Sequence, residues 1–246
     1  MRVVALGASN LTRGMPTVVA AARAAWGADV EIFAALGHGR SYGMASRFVV
    51  RDTPGILECG IWAELAGRPA APTRALVTDV GNDILYNASA EQTLAWVDEA
   101  LGRLTAITSD VVVTGLPLES LRRLPPWKFQ ALRATLARSC RLTLAQALDA
   151  AERVHAGLVE LAAARGVRFF PLDPSWYGWD PLHVRPSMWS DAWGRILGTD
   201  ARARMPLTES VELCFRAPER RSLFGVARLT PQSGAALRSG GRLWLY

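Results

Sequence analysis

Four groups of residues carry side chains that can do chemistry together. Ser9 follows the apolar run Val3–Leu6 and Gly7. Asn82 and Asp83 follow Ala75–Val80 and Gly81. Asp180 and His183 flank Pro181 and Leu182, and Gly37, Gly39 and Gly43 follow Val30–Ala35. A serine hydroxyl needs a base before it becomes a nucleophile. A histidine can take the proton, and a carboxylate can hold the imidazole in the right tautomer and stabilise its charged form. Asp180 and His183, three positions apart around a proline, can be held in contact by one tight turn. The Asn82 amide and the unhindered N–H of a glycine are the donors that an oxyanion requires. The chemistry within reach is therefore acyl transfer. Against this, small polar residues are ordinary turn and N-cap material, so the elements that carry them decide.

Strand-like runs alternate with helical patterns. Val3–Leu6, Val30–Ala35, Ala75–Val80, Asp110–Thr114 and Val167–Pro171 read as five buried strands. Helical spacing predicts helices over 12–26, 56–65, a segment N-capped by Ser89 with Gln92 three positions on, 125–139, 144–165 and 186–197. The implied fold class is three-layer α/β/α. A five-stranded parallel sheet is expected in the doubly wound order 2-1-3-4-5, as in flavodoxin-like folds. Past Pro206 the character changes. Val211–Phe215 and Arg242–Tyr246 have strand composition, with Gly240-Gly241 as a turn signal. The expected organisation is a catalytic unit over 1–204 and a basic β extension over 205–246. In an open parallel sheet, the loops after the strands share one edge, where ligands bind. That edge would collect Ser9, the glycines, Asn82 and the Asp180–His183 pair.

Gly7-Ala8-Ser9-Asn10, a glycine after strand two, Gly81-Asn82-Asp83 after strand three, and Asp180-Pro181-Leu182-His183 before the last domain helix resemble the four blocks of the GDSL/SGNH hydrolases over roughly residues 1–200. Each block alone is a weak signal; the set in order is specific. The resemblance implies Ser9 as nucleophile, His183 as general base and then acid, and Asp180 as its orienting partner. It implies an oxyanion hole of the Ser9 N–H, the Gly39 N–H and the Asn82 side chain. It implies a small-molecule ester, thioester or acetyl ester as substrate, and neither metal nor organic cofactor. The first block departs from G-D-S-L: Ala8 stands in place of the aspartate that orders the nucleophile turn, and Asn10 in place of the leucine. The sequence does not show which group takes over, and Gly37 remains open beside Gly39.

Other readings compete. Gly39-Arg40-Ser41-Tyr42-Gly43 matches the G-x-S-x-G nucleophile elbow, with Asp180 and His183 in the required order, so Ser41 is an alternative nucleophile. That elbow normally follows several strands, and only two precede Ser41. Gly37, Gly39 and Gly43 fall one place short of a dinucleotide fingerprint and lack the distal acid. A domain that binds a ligand without turnover is a further reading, against which Ser9, Asn82, Asp180 and His183 all stand intact. Tyr42, Leu85, Tyr86, Trp176 and Trp179 are candidates to line a substrate pocket, whereas Trp189 and Trp193 are expected to pack the last helix. His155 lies among apolar helical neighbours and reads as structural.

Composition narrows the classes. The net charge is +6. Residues 201–246 hold eight arginines against Glu209, Glu212 and Glu219, yet they are scattered rather than clustered. Lys128 is the only lysine, so arginine use is chain-wide and nucleic acid is not an expected partner. Cys59, Cys140 and Cys214 fit neither a disulfide framework nor metal spacing. No run is long and apolar enough to span a membrane, and nothing resembles a secretion leader, so a cytoplasmic location is expected.

Overall fold

A computed structural model describes residues 1–137, 139–199 and 204–246. In chain order the strands and α-helices are β1 (Arg2–Leu6), α1 (Ser9–Trp26), β2 (Glu31–Ala35), β3 (Ser46–Phe48), β4 (Arg51–Thr53), α2 (Ile61–Ala66), β5 (Thr73–Val77), α3 (Asn82–Leu85), α4 (Ala90–Thr105), β6 (Val111–Thr114), α5 (Leu118–Arg122), α6 (Pro126–Leu136), α7 (Leu144–Arg165), β7 (Arg168–Phe170), α8 (Trp189–Leu197), α9 (Leu207–Phe215), β8 (Arg220–Leu223), β9 (Val226–Leu229), β10 (Ala235–Ala236) and β11 (Arg242–Leu245). The expected end of the helix near Ser139 adjoins Arg138, outside the described residues, as are residues 200–203 beside the expected boundary at 204.

Strand periodicity explains the layers. Successive side chains on a strand point to opposite faces. Val4, Leu6, Phe33, Ala35, Ala75 and Val77 join one core, shared with α2, α4 and α7. Val3, Ala5, Ile32, Ala34 and Leu76 join the other, shared with α1, α8 and α9. Because both faces are covered, β1 is buried throughout and reads as an unbroken apolar run. On the second face α1 and α8 approach closely at Gly14, where a Cβ would lie 1.9 Å from the Trp193 Nε1. Thr143 and Gln146 form a complete capping box at the start of α7, and the Ser89 hydroxyl accepts the Gln92 N–H at 3.1 Å.

The central sheet has seven strands, in the order β10-β11-β2-β1-β5-β6-β7, rather than five. The two additional strands come from the tail. β11 pairs in parallel with β2, and Trp244 stacks on Phe33 with ring centroids 4.4 Å apart. A second, four-stranded sheet, β3-β4-β8-β9, joins the segment after the glycine-rich turn to the tail through antiparallel pairing of β4 with β8. Val211–Phe215 forms part of helix α9, not a strand. Leu213 packs into the core beside α1, and the buried Glu209 accepts the Ser239 N–H and hydroxyl, so tertiary contacts override a β-like composition.

Candidate active site

The carboxyl ends of β1, β5 and β7 open onto one cleft of about 190 Å3. Ser9 is the first residue of α1, directly after the β1 turn. Its Oγ lies 2.9 Å from His183 Nε2, and His183 Nδ1 lies 2.7 Å from Asp180 Oδ2. The other carboxylate oxygen, Oδ1, accepts the Leu182 N–H at 3.0 Å, the tight turn that Pro181 helps to set. An ionised carboxylate only accepts hydrogen bonds, so Nδ1 carries the proton and Nε2 is left to accept from the serine hydroxyl. Burial raises the Asp180 carboxyl, but hydrogen bonding and charge from His183, the Leu182 N–H and the Arg13 charge outweigh it and hold the group below its usual range. Hydroxyl, imidazole and carboxylate at these distances can transfer a proton from serine to histidine as the oxygen attacks.

The missing block-one aspartate has a substitute. Asp79 lies between β5 and Asn82 with φ at +60°, a left-handed conformation that aspartate tolerates better than most residues. Its Oδ2 accepts the Ala8 N–H at 2.9 Å and the Leu11 N–H at 3.0 Å, which brackets Ser9. Its Oδ1 accepts the Asn10 amide at 2.9 Å. Asn10 then reaches the histidine loop: Nδ2 donates to the Leu182 carbonyl at 3.0 Å and Oδ1 accepts the Val184 N–H at 2.9 Å. One partly buried polar chain thus sets the serine turn and the histidine turn against each other. An aspartate at the same sheet edge, three positions before Asn82, was the available signal in the sequence.

Gly39 and Asn82 both line the cleft; Gly37 does not, and faces a second, smaller cavity. Gly39 has φ +67°, and a Cβ there would come within 3.0 Å of the Tyr86 hydroxyl. That hydroxyl donates to the Gly39 carbonyl at 2.6 Å and steadies the loop. Asn82 Nδ2 meets the Arg40 carbonyl only at 3.4 Å. His38 also borders the cleft. Burial and the charges of Arg13 and Arg51 lower its pKa, against the opposing charge of Asp79.

Of the residues expected to line the pocket, Leu85 and Tyr86 do so. Tyr42 does not: it is fully buried, and its hydroxyl donates to the Leu6 and Thr78 carbonyls, joining the ends of β1 and β5. Trp176 is likewise buried, stacked on Phe170 with Nε1 donating to Asp191 Oδ2 at 3.0 Å. Trp179 is 81% exposed and lies over the Lys128 ammonium, which donates to its carbonyl. Ser41 is fully buried; it donates to Asp83 Oδ1 and accepts the Met44 N–H, with no histidine among its hydrogen-bond partners. His155 accepts the Leu116 N–H at 3.1 Å on Nδ1 and meets Phe169 edge-on, a packing role. Sequence reading missed Asp79, the reach of Asn10, and the apolar side chains that extend the cleft. Among the described residues no cluster of three or more His, Cys, Asp or Glu side chains is grouped to hold a metal ion, and no helix is long and apolar enough to cross a membrane.

The strand and helix layers define an α/β/α architecture with a cleft at its strand ends. No protein-family model matches the chain, and no curated protein matches its sequence. Solved structures do. The chain is similar to an acetyl-xylooligosaccharide esterase from Geobacillus Stearmophilus, an Axe2 mutant, at 11% identity and TM-score 0.54, covering 83% of this chain and 97% of that one. It is similar to an inhibitor-bound M. Smegmatis aryl esterase at 16% identity and TM-score 0.51, covering 86% and 99%. A psychrotrophic esterase EstA from Pseudoalteromonas sp. aligns at 9% identity and TM-score 0.50, covering 80% and 95%. The fold is that of the GDSL/SGNH hydrolases.

Proposed function

We propose that the protein is a serine esterase that works through an acyl-enzyme. The observation that carries this reading is the continuous relay from Ser9 Oγ through His183 to Asp180, at 2.9 and 2.7 Å, with Ser9 and His183 lining the cleft. Ser9 Oγ attacks the ester carbonyl while His183 Nε2 takes its proton. Asp180 keeps Nδ1 protonated and stabilises the imidazolium that forms. The developing oxyanion is met by the Ser9 N–H, the Gly39 N–H and the Asn82 amide, whose residues all line the cleft. His183 then returns the proton to the leaving oxygen. Water, activated by the same imidazole, releases the acid and restores Ser9. Each step uses only side chains and backbone of this chain, and the family resemblance implies no cofactor.

The fold shared with esterases supports the reading, as does the full set of four blocks at one sheet edge. The test is hydrolysis of a p-nitrophenyl ester, together with labelling by a fluorophosphonate. The expected result is Ser9-dependent turnover and labelling, both abolished in Ser9→Ala. Folded wild-type protein that neither labels nor hydrolyses any ester would instead support a binding domain without turnover.

A further inference from the structure

We propose that the apolar arm of the cleft is an acyl-chain subsite, so that the enzyme prefers medium-chain acyl esters to acetyl esters; this rests on the serine esterase reading. The cleft has two chemically distinct sets of lining residues. Around Ser9 lie Asn10, Arg13, His38, Asp79 and His183. The same cleft is also lined by Ile84 and Leu85 of α3, Leu116 after β6, Leu121 of α5, Phe129 of α6 and Leu148 of α7. The charged side chain on that arm is Arg133, whose guanidinium donates to the Leu142 carbonyl at 3.2 Å and to Gln130 Oε1 at 3.0 Å. None of these arm residues is needed for the proton relay.

The tetrahedral centre decides which half of the ester enters the arm. Its four bonds lead to Ser9 Oγ, the oxyanion, the leaving oxygen and the acyl carbon. The oxyanion must face the Ser9, Gly39 and Asn82 donors. The leaving oxygen must lie within reach of His183 Nε2 to be protonated, and the charged and polar lining includes Arg13, 3.9 Å from Asp180, and His38. The remaining bond, to the acyl carbon, is left for the apolar part of the lining, which includes Ile84 and Leu85 on the same short helix as Asn82. A chain entering there meets leucine and phenylalanine side chains. An arm of this composition rewards methylenes and penalises hydroxyls stripped of water.

Burial of one methylene corresponds to about a fourfold gain in transition-state binding. The test measures kcat/KM for p-nitrophenyl acetate, butyrate and octanoate, which vary the acyl group at a constant leaving group. In parallel, ethyl, butyl and octyl acetate vary the alcohol at a constant acyl group. Ser9→Ala is the blank throughout. The expected result is a rise of at least about tenfold from acetate to octanoate, with no comparable rise along the alcohol series. In Leu148→Trp, where an indole fills the arm, the octanoate-to-acetate ratio should fall at least about fivefold; a ratio does not depend on how much of the variant folds. Ser9-dependent hydrolysis that is flat or falling along the acyl series, or that gains only along the alcohol series, overturns the subsite while leaving the esterase reading intact. Hydrolysis that persists undiminished in Ser9→Ala overturns both.

Discussion

Asp79→Asn tests the substitute for the missing block-one aspartate. The change keeps the shape of the side chain and replaces one acceptor oxygen with an NH2 donor. Asp79 faces three donors: the Ala8 and Leu11 N–H groups on Oδ2 and the Asn10 amide on Oδ1. If the new amide keeps its oxygen toward Ala8 and Leu11, its NH2 meets the NH2 of Asn10. If it turns over, it meets two backbone N–H groups. Asn10 cannot flip in response, because its Nδ2 already donates to the Leu182 carbonyl and its Oδ1 already accepts from Val184. At least one partly buried donor is left unpaired, and the surviving bonds lose the charge of their acceptor. Together these cost about 2–4 kcal/mol. At about 2 °C per kcal/mol for a chain of this size, the melting temperature should fall by roughly 4–8 °C. The serine turn loosens at the same time, and sub-ångström displacement of a nucleophile lowers kcat by about ten- to a hundredfold with a smaller effect on KM. Thermal melting and steady-state hydrolysis of one p-nitrophenyl ester read both. A variant that melts within about 1 °C of the parent and retains its kcat would refute the reasoning, because the three hydrogen bonds would then carry neither stability nor geometry.

Two further predictions concern the buried pair Ser41 and Asp83. Burial raises the Asp83 carboxyl from 3.8 to about 6, against the hydrogen bonds from Ser41 and Tyr42. The folded state therefore holds this proton more tightly than the unfolded chain does. The resulting stabilisation is complete below about pH 4 and is lost as pH rises through about 6, a swing on the order of 3 kcal/mol. Thermal melts of Asp83→Asn and wild type should then diverge in favour of the variant as pH rises from 4 to 7; a difference independent of pH would contradict the raised carboxyl. Ser41→Ala removes the hydroxyl that donates to Asp83 and should lower stability by about 1–3 kcal/mol. Its kcat/KM should stay within about threefold of wild type, whereas complete loss of ester hydrolysis in folded protein would return Ser41 to candidacy as the nucleophile.

Much of the candidate site was legible because its signals are local. A buried parallel strand must be apolar along its whole length, so the ends of the strands are visible in the sequence, and so are the polar residues placed just beyond them. Ser9, Asn82 and the Asp180–His183 turn each announce themselves within a few residues. The tail was harder to read. Val211–Phe215 carries β-branched and aromatic residues, and only the docking of Leu213 beside α1 and the buried hydrogen bonds of Glu209 make it helical. The aromatic candidates failed for a related reason. Tyr42, Trp176 and Trp179 are close in sequence to the site, but the direction of a side chain depends on what packs against it: two carbonyls for Tyr42, Phe170 for Trp176 and Lys128 for Trp179.

The sequence by itself determined the alternation of strand and helix and the chemical identity of the groups at the strand ends. Both are written in short-range patterns of apolar and polar residues. Only the tertiary structure decided that β11 would join β2, that Asp79 would reach across from β5 to hold the turn after β1, and that leucines from α3, α5 and α7 would line the cleft that holds Ser9. Those pairings span tens to hundreds of residues. They are settled by which surfaces bury each other and which buried donors find an acceptor, and no local pattern in the chain records either choice.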